Sequence, residues 1–176
     1  MHVMKAITVL RPIEEVYHFW IDFQNMPKFM SHLDSVEHLA EGRSHWRTRG
    51  VEGSSAEWDT DIVERVPNEM IAWQSVQGAE VANSGAVYFA QAPGDRGTEV
   101  RVDFTYDQAG GKIGSLFSKL FGDDPAIEIE KDLRRFKQIL ETGEVVHSDA
   151  SIHEGMHPAR PAETHELAAA GPGGES

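Results

Sequence analysis

Residues 124–142 read DPAIEIEKDLRRFKQILET. Ile129, Leu133, Phe136 and Leu140 step by four, three and four, which puts them on one face of a helix. Ile139 widens that stripe, and Glu130, Lys131, Asp132, Arg134, Arg135 and Lys137 take the remaining surface. Asp124 is placed to cap the first turn, Pro125 suits the first helical position, and Gly143 supplies the stop. An apolar stripe this long needs a broad surface to cover, and nearly everything before it reads as strand. The expected architecture is α+β: one long helix laid across a curved antiparallel sheet.

Working outward from that helix, β-branched residues and alternation mark a first strand at Lys5–Leu10, closed by Arg11-Pro12. Helical spacing follows from Ile13, with Val16, Phe19, Trp20 and Phe23 sharing a face. Asn25-Met26-Pro27 breaks that helix, and a second short helical turn is expected over Lys28–His32. Strand patterns then recur at 33–39, 44–49, 55–66, 70–76, 85–91 and 100–106, separated by Gly42, Pro67-Asn68 and Pro93-Gly94-Asp95. Residues 112–121 suggest a greasy helix through Ile113, Leu116, Phe117, Leu120 and Phe121. Beyond Glu144 the periodicity stops and Pro, Gly, Ala, His and acids dominate. The expected division is a folded domain over 1–144 and a disordered acidic tail over 145–176.

The chain has 176 residues and a formal net charge of -13, with six acids against one Arg in residues 144–176. Such acidity offers no basic surface to a phosphate backbone or an anionic membrane, so no nucleic-acid partner is expected. The chain contains no cysteine, which removes disulfides, thiol nucleophiles and thiolate metal sites. No apolar run approaches a membrane span, and MHVMKAITVL lacks a signal-peptide core. A cytoplasmic protein without stable membrane insertion is expected.

The element order also carries a resemblance. Arg11-Pro12-Ile13-Glu14-Glu15-Val16-Tyr17 is similar to the first strand-to-helix junction of the START-related (SRPBCC, helix-grip) superfamily. Phe23 to Met30 resembles the segment that follows, locally in the polyketide cyclase/dehydrase branch. Pro67-Asn68-Glu69-Met70-Ile71-Ala72-Trp73, Gly97-Thr98-Glu99-Val100 and Asp132 to Lys137 resemble its later hairpins and terminal helix. The resemblance spans roughly residues 3–144. It implies a helix-grip fold: about seven antiparallel strands around a long C-terminal helix, with two short helices after the first strand. It further implies a groove between helix and sheet that holds an apolar ligand such as a lipid, quinone or polyketide; no cofactor is expected.

If Val100, Val102, Phe104 and Tyr106 face the helix, the matching faces of the other strands follow from alternation. They are Gly85, Val87 and Phe89; Ile71, Trp73 and Ser75; Trp58, Thr60 and Ile62; and Ser44, Trp46 and Thr48. Trp46, Trp58, Trp73, Phe89, Phe104 and Tyr106 are the expected ligand-binding walls, since large aromatics serve both a core and an apolar cavity. No acid or base falls on this face. Glu57, Asp59, Asp61, Asp103, Arg47, Arg49 and Arg101 fall on the other, as solvated cross-strand pairs. His32 and His38 lie near the expected cavity mouth, where each is most simply a polar side chain in contact with solvent. His153-Glu154-Gly155-Met156-His157 matches a zinc-protease pattern, but Gly155 and Pro158 spoil the helix that chemistry requires, so no metal site is assigned. The expected function is binding of a small apolar ligand. A polyketide cyclase/dehydrase-type enzyme and an interaction or stress-accessory module are the alternatives.

Overall fold

The structure, a computed structural model, describes residues 2–48, 55–79, 81–106 and 124–143. The expectations for residues 112–121, the tail and the His153–His157 motif lie outside the described residues. Seven strands form one antiparallel sheet: β1 (His2–Val9), β2 (Leu33–Ala40), β3 (Arg43–Thr48), β4 (Glu57–Val66), β5 (Met70–Ser75), β6 (Asn83–Gln91) and β7 (Thr98–Tyr106). Their order across the sheet is β1-β7-β6-β5-β4-β3-β2, so only β1 joins a strand far from it in sequence. Register shifts in β2 and β4 mark irregularities of the kind that bend and twist a sheet.

The register matches the face assignment read from alternation. Trp46 lies opposite Trp58, Ile62 opposite Trp73, Trp73 opposite Gly85, and Gly85 opposite Phe104. Directly opposed residues share a face, so these side chains line up across four strand pairs. The other face carries the cross-strand ion pairs. Arg43 grips Asp61 with two hydrogen bonds at 2.7 and 2.8 Å, and Arg47 donates to Glu57 at 2.6 Å. Asp61 is held below the ordinary carboxylate range by that hydrogen bond from Arg43.

The long helix, α2 (Pro125–Thr142), begins and ends as its sequence dictates. Asp124 accepts from the N–H groups of Ala126 and Ile127, and Gly143, at φ 78°, donates its own N–H to Ile139 O. The far end is clamped to the end of β1. Arg11 donates through Nε to Leu140 O at 2.7 Å and through Nη2 to Glu141 O at 3.0 Å, which satisfies two of the helix's terminal carbonyls. Lys137 donates to Thr8 O at 2.6 Å.

Two short helical segments follow β1: α1 (Ile13–Ile21) and a 3-10 helix over Phe23–Lys28. The second differs in place from the sequence expectation. Asn25-Met26-Pro27 lies inside it rather than breaking the chain. Asp22 caps it by accepting from Gln24 N–H, Asn25 donates to Phe19 O, and Phe23 and Met26 are drawn into the core. Burial of those two side chains favours the tight turns that propensity disfavours. Among the described residues no helix is long and apolar enough to cross a membrane.

Candidate functional site

Between α2, the sheet and the α1–3-10 segment lies a cavity of about 90 Å³, counted as the space open to the centres of water molecules. On that measure one water needs ~10–15 Å³, so the space suits a small molecule better than one or two waters. Its lining is overwhelmingly apolar. All four tryptophans of the chain contribute: Trp20 from α1, Trp46 from β3, Trp58 from β4 and Trp73 from β5. Trp46 and Trp58 are stacked with centroids 6.0 Å apart, and Phe23 meets Trp46 edge-on at 5.5 Å. Phe104 and Val102 supply the β7 wall, and Ile129 and Leu133 the helix wall.

Four of the six aromatic side chains expected to wall a site therefore do line the cavity: Trp46, Trp58, Trp73 and Phe104. Phe89 and Tyr106 share their face but not their surroundings. Phe89 is buried against Tyr17 and Trp20, with centroids at 5.6 and 6.4 Å, in the solid aromatic core beyond the cavity. Tyr106 is buried beside Phe104, at 5.8 Å, and forms no part of the wall. Among the lining residues that the sequence reading did not assign to the walls, Trp20, Phe23, Met26, Phe29 and Met30 come from the segment before β2. His32 lines the cavity, whereas His38 is exposed on the edge strand β2.

Gly85 has a specific part in shaping the wall. A Cβ built there would lie 2.5 Å from Trp73 Cζ2 and 2.8 Å from Asp103 O, so the indole rests on the bare glycine backbone. Gly85→Ala should push the Trp73 ring out of its seat. A shifted Trp emission maximum together with a lowered thermal midpoint is expected; an unchanged spectrum would show that the ring does not depend on Gly85.

The largest departure from the sequence reading is Asp132. Counted with the solvated face of α2, it is instead only 3% exposed and lines the cavity. The reason is phase: position 132 is three residues after Ile129 and four before Phe136, so it falls within the buried stripe. Its Oδ1 accepts from Arg135 Nη1 at 2.8 Å. Oδ2 is buried without a hydrogen-bond partner. Burial pushes the Asp132 pKa from 3.8 up to about 7, with Glu128 adding to the rise and Arg135 and Ser31 opposing it.

The polar surroundings are few. His32 Nε2 lies 3.2 Å from Glu128 Oε2, and Lys131 donates to Glu128 Oε1 at 3.2 Å. Burial works to raise the Glu128 pKa, but hydrogen bonds from His32 and Lys131, with their charges, hold it below its ordinary value. Across the cavity, Thr60 is 1% exposed, and its Oγ1 is likewise buried without a partner. Among the described residues no group of three or more His, Asp or Glu side chains is arranged to hold a metal ion. The site can enclose an apolar body and hydrogen-bond to it at a small number of points.

Comparison with known proteins places this arrangement in a family. A 17.2 kDa protein of Streptomyces lincolnensis, encoded in the melC2-rnhH intergenic region, is 32% identical over 141 residues, covering 79% of this chain and 89% of that protein. The crystal structure of DR_A0006 from Deinococcus radiodurans superposes with a TM-score of 0.66 at 35% identity, over 82% of this chain and all of that one. The di-domain ARO/CYC StfQ of the steffimycin biosynthetic pathway shares the fold at 13% identity and a TM-score of 0.57, over 79% of this chain and 49% of its own. Residues 9–129 match the family described as polyketide cyclase / dehydrase and lipid transport, and the chain belongs to that family.

Proposed function

We propose that this domain binds a small apolar ligand, of lipid, quinone or polyketide-like chemistry, in the cavity between α2 and the sheet. The observation that carries the reading is the cavity itself: an apolar space walled by four tryptophans inside a core that otherwise packs ring against ring. Trp46, Trp58, Trp73 and Phe104 are the strand-borne contacts, and Trp20, Phe23 and Phe29 close the opposite side. An interaction module with no small ligand gains nothing from such a space, since an unfilled void forfeits dispersion contacts. Native mass spectrometry of the protein purified from its own host should show retained mass, and an apolar ligand should perturb tryptophan emission. Trp73→Phe should diminish that response. Absence of binding across quinones, fatty acids and aromatic polyketides would defeat the proposal.

One observation favours a second reading, a cyclase- or dehydrase-type enzyme. A buried carboxyl whose pKa stands at about 7 can both give and take a proton near neutrality, and Asp132 is such a group facing the cavity. Turnover of a bound polyketide-like substrate, abolished by Asp132→Asn while binding persists, would decide for the enzyme.

A further inference from the structure

We propose that Asp132 and Thr60 form a polar anchor inside the cavity that selects apolar ligands bearing a hydroxyl group. This inference rests on the ligand-binding reading above and specifies the chemistry of the ligand. Among the described residues, Asp132 Oδ2 and Thr60 Oγ1 are the buried side-chain polar atoms without a hydrogen-bond partner, and both residues line the same cavity. Buried polar atoms are almost always paired, so two orphans on residues that line one space point to a missing partner there.

The geometry of the carboxyl supports this. Arg135 holds Oδ1 at 2.8 Å, so the carboxyl is tied at one oxygen while Oδ2 has no hydrogen-bond partner. On its own helix Asp132 is faced by Arg135 and by Glu128, the latter engaged with His32 from the segment before β2 at 3.2 Å. A leucine at 132 would have continued the apolar stripe and left no orphan. Asp132 requires a donor when ionised and an acceptor when neutral, and the Thr60 hydroxyl can serve either role. A ligand hydroxyl satisfies both protonation states of the carboxyl; a carbonyl satisfies only the neutral one, and an amine salt only the charged one.

A matched pair of probes separates the anchor from simple apolar binding. In water a hydroxyl is well solvated, so without an anchor 2-naphthalenemethanol should bind more weakly than its isostere 2-ethylnaphthalene. Dissociation constants of both can be measured on the full chain by NMR titration. We expect the alcohol to bind about tenfold tighter than the hydrocarbon, and that preference to fall below about threefold in Thr60→Val and in Asp132→Leu. Thr60→Val preserves shape, so the test stands even if Asp132→Leu fails to fold. Equal or weaker binding of the alcohol overturns the anchor and leaves the ligand-binding reading intact. A preference that survives in the folded variants also overturns it, since the hydroxyl would then be held elsewhere. Binding of neither probe overturns the anchor, while the ligand-binding reading is decided by the separate screen of quinones, fatty acids and polyketides.

Discussion

Phe136→Ala is expected to destabilise the domain by about 3–5 kcal/mol, the range for removing a large aromatic from a packed core. Phe136 is fully buried at the middle of α2, with ring centroids of Trp20, Phe29 and Phe19 at 5.0, 5.2 and 5.7 Å. Through Phe136 the helix grips α1 and the segment that follows it. Truncation removes ring–ring contacts with all three at once. Two of those neighbours, Trp20 and Phe29, are cavity walls, so the new void would open toward existing empty space instead of collapsing. Leu133→Ala, on the same stripe, should cost about 2–5 kcal/mol. Arg134→Ala should change stability by no more than about 0.5 kcal/mol, because its side chain is 67% exposed and pairs with Glu130 on the surface. Urea midpoints at constant m decide the matter; equal costs for Phe136 and Arg134 would mean that α2 is rotated from the face assigned here.

The parts of this fold that sequence alone reveals are those governed by period. Alternation places Trp46, Trp58, Trp73 and Phe104 on one face, and the register, with Trp46 opposite Trp58 and Gly85 opposite Phe104, bears that out. Period says which face a residue takes but not what stands above it. Phe89 and Tyr106 sit on the correct face yet away from the cavity, because Tyr17 and Trp20 cover Phe89 and only a three-dimensional arrangement could reveal that. The walls from Phe23 to Met30 were hidden for another reason. Asn25 and Pro27 are strong turn signals, and they obscured the burial of Met26 and Phe29 beside them. Asp132 was hidden by its chemistry. A charged residue in a stripe of Ile129, Leu133 and Phe136 reads as belonging to the neighbouring polar face, although its phase is that of the buried one. A polar residue in apolar phase is the signal that could have found it.

Asp132→Asn should stabilise the ligand-free protein at pH 8.5 by about 1–4 kcal/mol and have almost no effect at pH 4. The sign follows from the direction of the shift. Burial, helped by Glu128, raises the Asp132 pKa in the folded state from 3.8 to about 7. The folded protein therefore holds this proton more tightly than the unfolded chain does. Stability from that proton is fully present below the unfolded value, falls as pH rises toward about 7, and is gone above it. The interval between 3.8 and about 7 corresponds to roughly 4 kcal/mol at most. Asparagine has nearly the same shape and no proton to lose, so it escapes the loss. Arg135, whose side chain is 29% exposed, can turn to solvent once its partner is neutral. Urea midpoints of both proteins at pH 4, 6, 7 and 8.5 should diverge progressively, with the variant above. Should Asp132→Asn prove the weaker protein at pH 8.5, the ionised carboxylate must be favourably held by Arg135 as a buried ion pair. The expected result has a functional meaning. A carboxyl that destabilises the empty domain, at a position where the stripe would accept leucine, sets local stability against site chemistry. A ligand that satisfies Oδ2 offsets part of that cost on binding, so the wild type should gain more from a hydroxyl-bearing ligand than the asparagine variant does at the same pH.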